Sequence, residues 1–373
     1  MAAVTDIQKK EVIDGFRFRG KLLESKPFGG GHINDTFLLT FEGEDGNPFK
    51  IVLQRMNHHV FKKPVELMEN VMNVTSFLRQ YARDHGGDPD RETLHFIKSK
   101  EGAPYYKDSF GDYWRAYVFI ADASSLTSVR NTEDFYQSAV AFGEFQKKLA
   151  SFPAEKLHET IPDFHNTRER FKTFTETVAA DPMGRAAGVA EEIAFVKERE
   201  DLACFFQDLL DKGELPLRVT HNDTKLDNIL FDDATGKAIC VIDLDTVMPG
   251  LAVFDFGDSI RFGANPARED EKDLTKVYCD LELFEAYVKG FLAGVDGKLT
   301  KREIDLLPMG AKEMTYECGM RFLADYIDGD HYFKIDYPEQ NLDRARTQFK
   351  LVKDMEDKWE QMLSIVEREA DHG

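Results

Sequence analysis

Cysteine is scarce in this chain, with four residues in 373, at positions 204, 240, 279 and 318, and none of the paired spacings that hold zinc. Disulfide-stapled and zinc-bound architectures are thereby set aside, and buried, reduced thiols are expected. Long apolar runs are missing too. No stretch approaches the about 18 residues needed to cross a bilayer, and Met1-Ala2-Ala3-Val4-Thr5-Asp6 leads into no signal-peptide core. A cytoplasmic protein with no membrane partner is expected. Positive charge is also short: 48 Lys and Arg against 68 Asp and Glu give a net charge of −20, which leaves no basic face for nucleic acid. Repeats and low-complexity tracts are absent. With 42% hydrophobic residues the chain can bury a large core, and two domains are expected.

The chemistry-bearing residues are concentrated between 219 and 245. Val219-Thr220-His221-Asn222-Asp223-Thr224-Lys225-Leu226-Asp227-Asn228-Ile229-Leu230 is followed by Cys240-Val241-Ile242-Asp243-Leu244-Asp245. Between them, Phe231-Asp232-Asp233-Ala234-Thr235-Gly236-Lys237 separates two apolar runs and predicts a β-hairpin. Strand, loop and hairpin bring Asp223, Asn228 and Asp243 to one edge. Any one of them alone could be a turn or cap residue. Together they suit phosphoryl transfer, which needs a carboxylate near an acceptor hydroxyl and oxygen ligands on the Mg²⁺ of a bound triphosphate. Asp223, with Lys225 beside it, is expected to be catalytic, and Asn228 and Asp243 to bind the metal, with Asp245 as an accessory. The pattern His-x-Asp-x-Lys-x-x-Asn resembles the catalytic loop of protein kinases and, more closely, that of aminoglycoside and choline kinases.

Residues 18–57 alternate like three strands, with Gly29-Gly30-Gly31 at the first turn. Glycines let backbone N–H groups approach phosphate oxygens closely, so this turn is expected to form the flap over ATP. Val52 and Gln54 on the third strand are expected to face the nucleotide. Kinases place a Lys there that neutralises the α- and β-phosphates, but this chain has Gln54, while Arg55 should point to the opposite face. The acidic balance repels free nucleotide, which makes a cation necessary. Lys62, Lys63 and Lys225 are the candidates, and no partner is assigned to Glu66 or Glu69 on the helix that begins near Pro64. Strands are expected to resume at 93–100 and 114–119, where Tyr117 and Phe119 are adenine neighbours or plain core. The small, polar Ala121-Asp122-Ala123-Ser124-Ser125-Leu126-Thr127 reads as a hinge. It divides an ATP-binding lobe, 1–120, from a catalytic lobe, 121–373.

Helical periodicity then dominates, over 135–152, 167–180, 190–210, 273–291, 301–329 in more than one piece, and 341–368. The charge runs at 197–201 and 269–271 read as solvated helix faces and starts. The fold class expected is α+β, a two-lobed, protein-kinase-like (aminoglycoside phosphotransferase-like) fold with a β-rich N-terminal lobe and a mainly helical C-terminal lobe. Asp255-Phe256-Gly257 spells the kinase metal motif but stands too far beyond the hairpin. In the kinase families that the catalytic loop resembles, this later Asp braces that loop, and the resemblance implies the same structural role for Asp255.

A closer resemblance rests on 27–37, 217–226, 242–250, 254–263 and Glu317-Cys318-Gly319-Met320-Arg321-Phe322-Leu323-Ala324-Asp325-Tyr326. These look like the N-acetylhexosamine 1-kinases, over about residues 25 to 365. The resemblance implies phosphorylation of the anomeric hydroxyl of N-acetylglucosamine or N-acetylgalactosamine from Mg·ATP, with His32, Arg321 and Tyr332 on the sugar. Read on their own, Arg321 and Asp325 are spaced as a helix salt bridge, and Tyr332 could be a core aromatic. Two other readings stay open, a kinase of another small alcohol such as an aminoglycoside, choline, homoserine or a different hexose, and a pseudokinase that binds nucleotide or sugar without turnover.

Overall fold

The computed structural model describes residues 3–29 and 33–372; Gly30, Gly31 and His32, assigned above to the flap and the sugar, lie outside the described residues. The N-terminal region comprises α1 (Asp6–Gly15), β1 (Lys21–Pro27), β2 (Asp35–Glu42), β3 (Pro48–Met56), α2 (Pro64–Asp84), α3 (Pro89–Glu92), β4 (Phe96–Ile97), β5 (Tyr106–Lys107) and β6 (Tyr113–Val118). Its strands form one antiparallel sheet in the order β1-β2-β3-β6-β4, with β5 also on β6. Alternation sorts the two faces. Ile51 and Leu53 of β3, with Trp114 and Ala116 of β6, pack on Val12 of α1 and on Phe16 just after it. Met56 lies on the other face and packs with Leu67, Met68 and Val71 of α2.

The expected strand at 93–100 shrinks to two residues. The cause is a shared edge: β4 pairs opposite Ala116 and Tyr117, while the unanticipated β5 takes Tyr113 and Trp114. Helix α1 was also not anticipated; Thr5 caps it by accepting from the Gln8 N–H.

The remainder comprises β7 (Ala123–Ser124), α4 (Thr132–Lys148), α5 (Thr167–Ala180), α6 (Ala190–Lys197), α7 (Glu200–Asp211), β8 (Arg218–Thr220), β9 (Ile229–Asp232), β10 (Ala238–Val241), β11 (Met248–Gly250), α8 (Ala252–Gly263), α9 (Leu281–Val295), α10 (Lys301–Asp305), α11 (Leu307–Asp328), α12 (Gln340–Asp357) and α13 (Trp359–His372). The α+β, two-lobed, kinase-like fold is therefore present, an antiparallel sheet followed by a mainly helical region. No helix among the described residues is long and apolar enough to cross a membrane.

Three expected helices are broken or shifted. The 190–210 segment breaks at Glu198-Arg199, where the Arg199 guanidinium donates to the Phe195 carbonyl at 3.0 Å and binds Glu356 at 2.9 Å. The 341–368 segment breaks at Lys358, whose ammonium reaches the Cys279 carbonyl at 2.9 Å. The 273–291 helix starts only at Leu281, because Asp280 accepts the N–H groups of Glu282 and Leu283 as its cap. The acidic run at 269–271 starts no helix; Asp270 instead accepts from Gln340 at 2.9 Å.

Glycine sets how closely two central helices approach. Where α4 crosses α9, a Cβ on Gly294 would sit 2.5 Å from the Val140 carbonyl oxygen, and one on Gly143 2.6 Å from that of Phe291. Gly294→Ala is expected to lower stability by about 1–3 kcal/mol through overpacking. Urea unfolding checks this, and an unchanged midpoint would mean that the helices separate without cost.

Candidate active site

Strand β8 pairs with β11 and delivers the chain into His221-Asn222-Asp223. Asn222 and Asp243 both adopt positive φ, 62° and 58°, a conformation that short polar side chains tolerate better than most. The loop is held from below by α8. Asp255, in its first turn, accepts the backbone N–H of His221 at 2.9 Å and of Asn222 at 2.8 Å, and the Gln146 amide at 2.8 Å. One turn on, Asp258 accepts the Thr224 N–H at 3.0 Å, and the Ser259 hydroxyl donates to the Thr224 carbonyl at 2.6 Å. Asp255 is thus engaged with the loop backbone, as the sequence suggested. His221 links the loop to the second strand, since its Nε2 donates to the Ile242 carbonyl at 2.9 Å and its Nδ1 accepts from the Asp223 N–H at 3.3 Å.

Asp223, Lys225 and Asn228 meet. The Asn228 amide nitrogen donates to the Asp223 carbonyl at 2.8 Å and to its Oδ2 at 3.0 Å, and the Lys225 ammonium lies 3.2 Å from that same oxygen. This leaves the amide oxygen of Asn228 without a hydrogen bond among the described residues. Burial opposes the charge on Lys225, but Asp223, Asp227 and Asp243 outweigh it and hold the ammonium well above the ordinary lysine range. The Asp243 carboxyl is pushed up to about 7, first by desolvation among crowded protein atoms and then by Asp245 and Asp223, against Arg115 and Lys225. The residue as a whole still reaches solvent. Such a carboxylate is stabilised by a bound cation. Among the described residues no group of three or more His, Cys, Asp or Glu is placed to hold a metal ion.

From the sheet, Gln54 faces this cluster and Arg55 turns away to ion-pair with Asp35 and Asp112. Arg115 stands directly opposite Gln54 on β6 and forms a buried ion pair with Asp245. Asp245 also accepts from the Asn34 amide at 2.8 Å, so it is occupied from the N-terminal side. Val52 is buried on the same face as Gln54, opposite Tyr117. Gly29 has φ 78°. Lys63 pairs with Glu66, and Glu69 with His158.

On the far side of the loop, α11 carries Glu317, Arg321 and Asp325 one turn apart. The Arg321–Asp325 salt bridge, the alternative reading of their spacing, does not form. Arg321 lies 3.8 Å from Glu317, a buried carboxylate that accepts from His165 Nδ1 at 2.8 Å and the Thr167 hydroxyl at 2.7 Å. Asp325 is taken by the backbone N–H groups of His331, Tyr332 and Phe333, at 2.8–2.9 Å, and by Asn341. This fold of the 331–333 loop sets the rings of Tyr332 and Phe333 at 5.7 and 5.5 Å from the Arg321 guanidinium, and Phe164 lies at 5.4 Å. Tyr332 is 62% exposed and so is no core aromatic. His165 Nε2, 3.4 Å from the Asn222 carbonyl, ties this cup to the catalytic loop. Sequence reasoning missed Phe164, His165 and Arg115. The signal available for Arg115 was a lone Arg inside the apolar strand Tyr113-Trp114-Arg115-Ala116-Tyr117.

An antiparallel sheet followed by a mainly helical region that bears a His-Asn-Asp loop is the arrangement of a kinase-like phosphotransferase. Residues 24–287, well over half the chain, match the phosphotransferase enzyme family, APH, and the chain belongs to that family. Solved structures share the fold at low identity. An aminoglycoside phosphotransferase from Alicyclobacillus acidocaldarius is 13% identical with a TM-score of 0.61, covering 100% of this chain and 98% of its own. A microcompartment-associated aminopropanol kinase is 15% identical at 0.61, covering 96% and 98%. The amicoumacin kinase hAmiN, in complex with AMP-PNP and Ca²⁺, is 12% identical at 0.56, covering 94% and 92%.

Proposed function

We propose that the protein transfers the γ-phosphoryl group of ATP to the anomeric hydroxyl of N-acetylglucosamine or N-acetylgalactosamine, giving the sugar 1-phosphate. The observation that carries the acceptor is the cup around Arg321. A guanidinium ringed by Phe164, Tyr332 and Phe333, with Glu317 behind it, offers donors, an acceptor and apolar walls within reach of the loop. A neutral sugar fits that mixture, whereas an aminoglycoside, choline or amino-alcohol would set its own cation beside Arg321.

In this reading Asp223 accepts or orients the proton of the acceptor hydroxyl, and Lys225 fixes the Asp223 carboxylate from one side. Asn228, through its free amide oxygen, and Asp243 would hold Mg²⁺. The ion, when bound, supplies charge neutralisation on the transferred phosphate. His32, Arg321 and Tyr332 contact the sugar. Gly29, Gly30 and Gly31 cover the nucleotide from above, and Val52 packs against it from the sheet. ATP as the donor is supported by the AMP-PNP complex of the amicoumacin kinase. The lobe boundary belongs to the same proposal, at residue 120. β6 ends the sheet at Val118, and β7, starting at Ala123, pairs with β9.

The test is Mg-dependent ADP formation with N-acetylglucosamine, N-acetylgalactosamine, plain hexoses, choline and kanamycin, and phosphorus NMR on the product. An anomeric phosphate on an N-acetylhexosamine upholds the proposal. Turnover of choline or kanamycin alone removes the sugar, and nucleotide binding without any turnover favours the binding-protein alternative. Arg321→Ala is expected to raise the acceptor KM by about 10- to 100-fold, the range for losing a charged hydrogen bond. The ATP KM should stay within about threefold; a matching rise in both would place Arg321 in general packing.

A further inference from the structure

We propose that Arg115 is the cation that receives the α- and β-phosphates of the nucleotide, supplied from β6 in place of a lysine on β3. The inference deepens the nucleotide half of the function proposed above and rests on it, but is independent of the acceptor.

Register puts the residue there. Thr36, Gln54 and Arg115 are partners across β2, β3 and β6, and therefore project from the same face of the sheet. Gln54 spans the gap, since its amide donates to the Thr36 hydroxyl at 3.1 Å and its Oε1 accepts from Arg115 Nε at 2.9 Å. A lysine at 54 would place a second cation against this guanidinium. The glutamine instead clamps it. Nη1 is paired with Asp245, while Nη2 donates no hydrogen bond to any described residue. The Arg115 side chain is 3% exposed. Its charge also acts on Asp243, the proposed metal ligand. A buried, oriented fork with one nitrogen to spare, beside the metal strand, is suited to a pair of phosphate oxygens.

The alternatives are weaker. Lys63 is about half exposed and already paired with Glu66 on its own helix, and Lys225 is held against Asp223. Of the two cations of β3, Arg55 projects from the α1 face, and Lys50 lies over the Phe119 ring, 5.5 Å from its centroid.

Calorimetric titration of wild-type protein and Arg115→Gln with ADP and with adenosine reads the assignment. The expected result is ADP affinity weakened by about 10- to 100-fold, with adenosine affinity unchanged. Gln54→Lys added to Arg115→Gln should recover at least part of the ADP affinity, because it returns a cation to the same face. Equal loss for both ligands, or no loss for ADP, overturns the assignment. Should Arg115→Gln fail to fold, a crystal structure of the wild type with AMP-PNP decides. An Arg115 nitrogen within about 3.2 Å of an α- or β-phosphate oxygen upholds it, and phosphates held by another cation overturn it. Failure of the acceptor proposal is recognised separately, as absent N-acetylhexosamine turnover in a protein whose phosphate-dependent ADP binding is intact.

Discussion

Asp223→Asn is expected to cut kcat by about 10²- to 10⁴-fold, the range for removing a positioned general base. The nucleotide affinity and the melting temperature should barely move. The asparagine is nearly isosteric and can still accept from the Asn228 amide, which now bonds both the Asp223 carbonyl and its carboxylate. What disappears is the negative charge, and with it both the proton acceptor and the partner of Lys225. The measurement is steady-state ADP release alongside ADP titration. A variant turning over within about threefold of wild type would take Asp223 out of the base role.

Asp255→Ala is expected to destabilise the protein by about 3–5 kcal/mol, as when one partner of a buried charged network is removed. Three donors lose their acceptor at once, the N–H groups of His221 and Asn222 and the amide of Gln146. Burial tends to raise the Asp255 pKa above the ordinary carboxylate value, and His221 and these hydrogen bonds oppose that rise. The loop is also anchored through Asp258 and Ser259, so kcat should fall further than the stability loss alone explains. Urea unfolding with activity measured on the folded fraction separates the two effects. A loss under about 1 kcal/mol would mean that water replaces the carboxylate without strain.

These two residues also mark what the sequence made legible. Asp223, Asn228 and Asp243 lie on one local strand, loop and hairpin, where turn chemistry and apolar runs dictate the geometry, and Asp255 was distinguished from them by its distance beyond the hairpin and by the kinase-family pattern. Arg115 was not legible. Its place depends on β6 pairing with β3 across more than fifty residues, and no local pattern carries that. The partner of Arg321 was not legible either. The salt bridge that its spacing from Asp325 allowed is prevented by the 331–333 loop, whose three N–H groups claim Asp325. Helix breaks at 198–199 and 358 were hidden because each depends on a cation reaching a distant acceptor.

The cup around Arg321 is built on α11 and the turn after it, whereas the loop that bears Asp223 is secured by α8 and β11. His165 is the side chain seen to touch both, through Glu317 on one side and the Asn222 carbonyl on the other. On the proposed reading, acceptor choice and phosphoryl chemistry are carried by separable pieces of one chain, and exchanging 317–333 for the equivalent stretch of a relative is expected to change the alcohol accepted while leaving nucleotide binding in place.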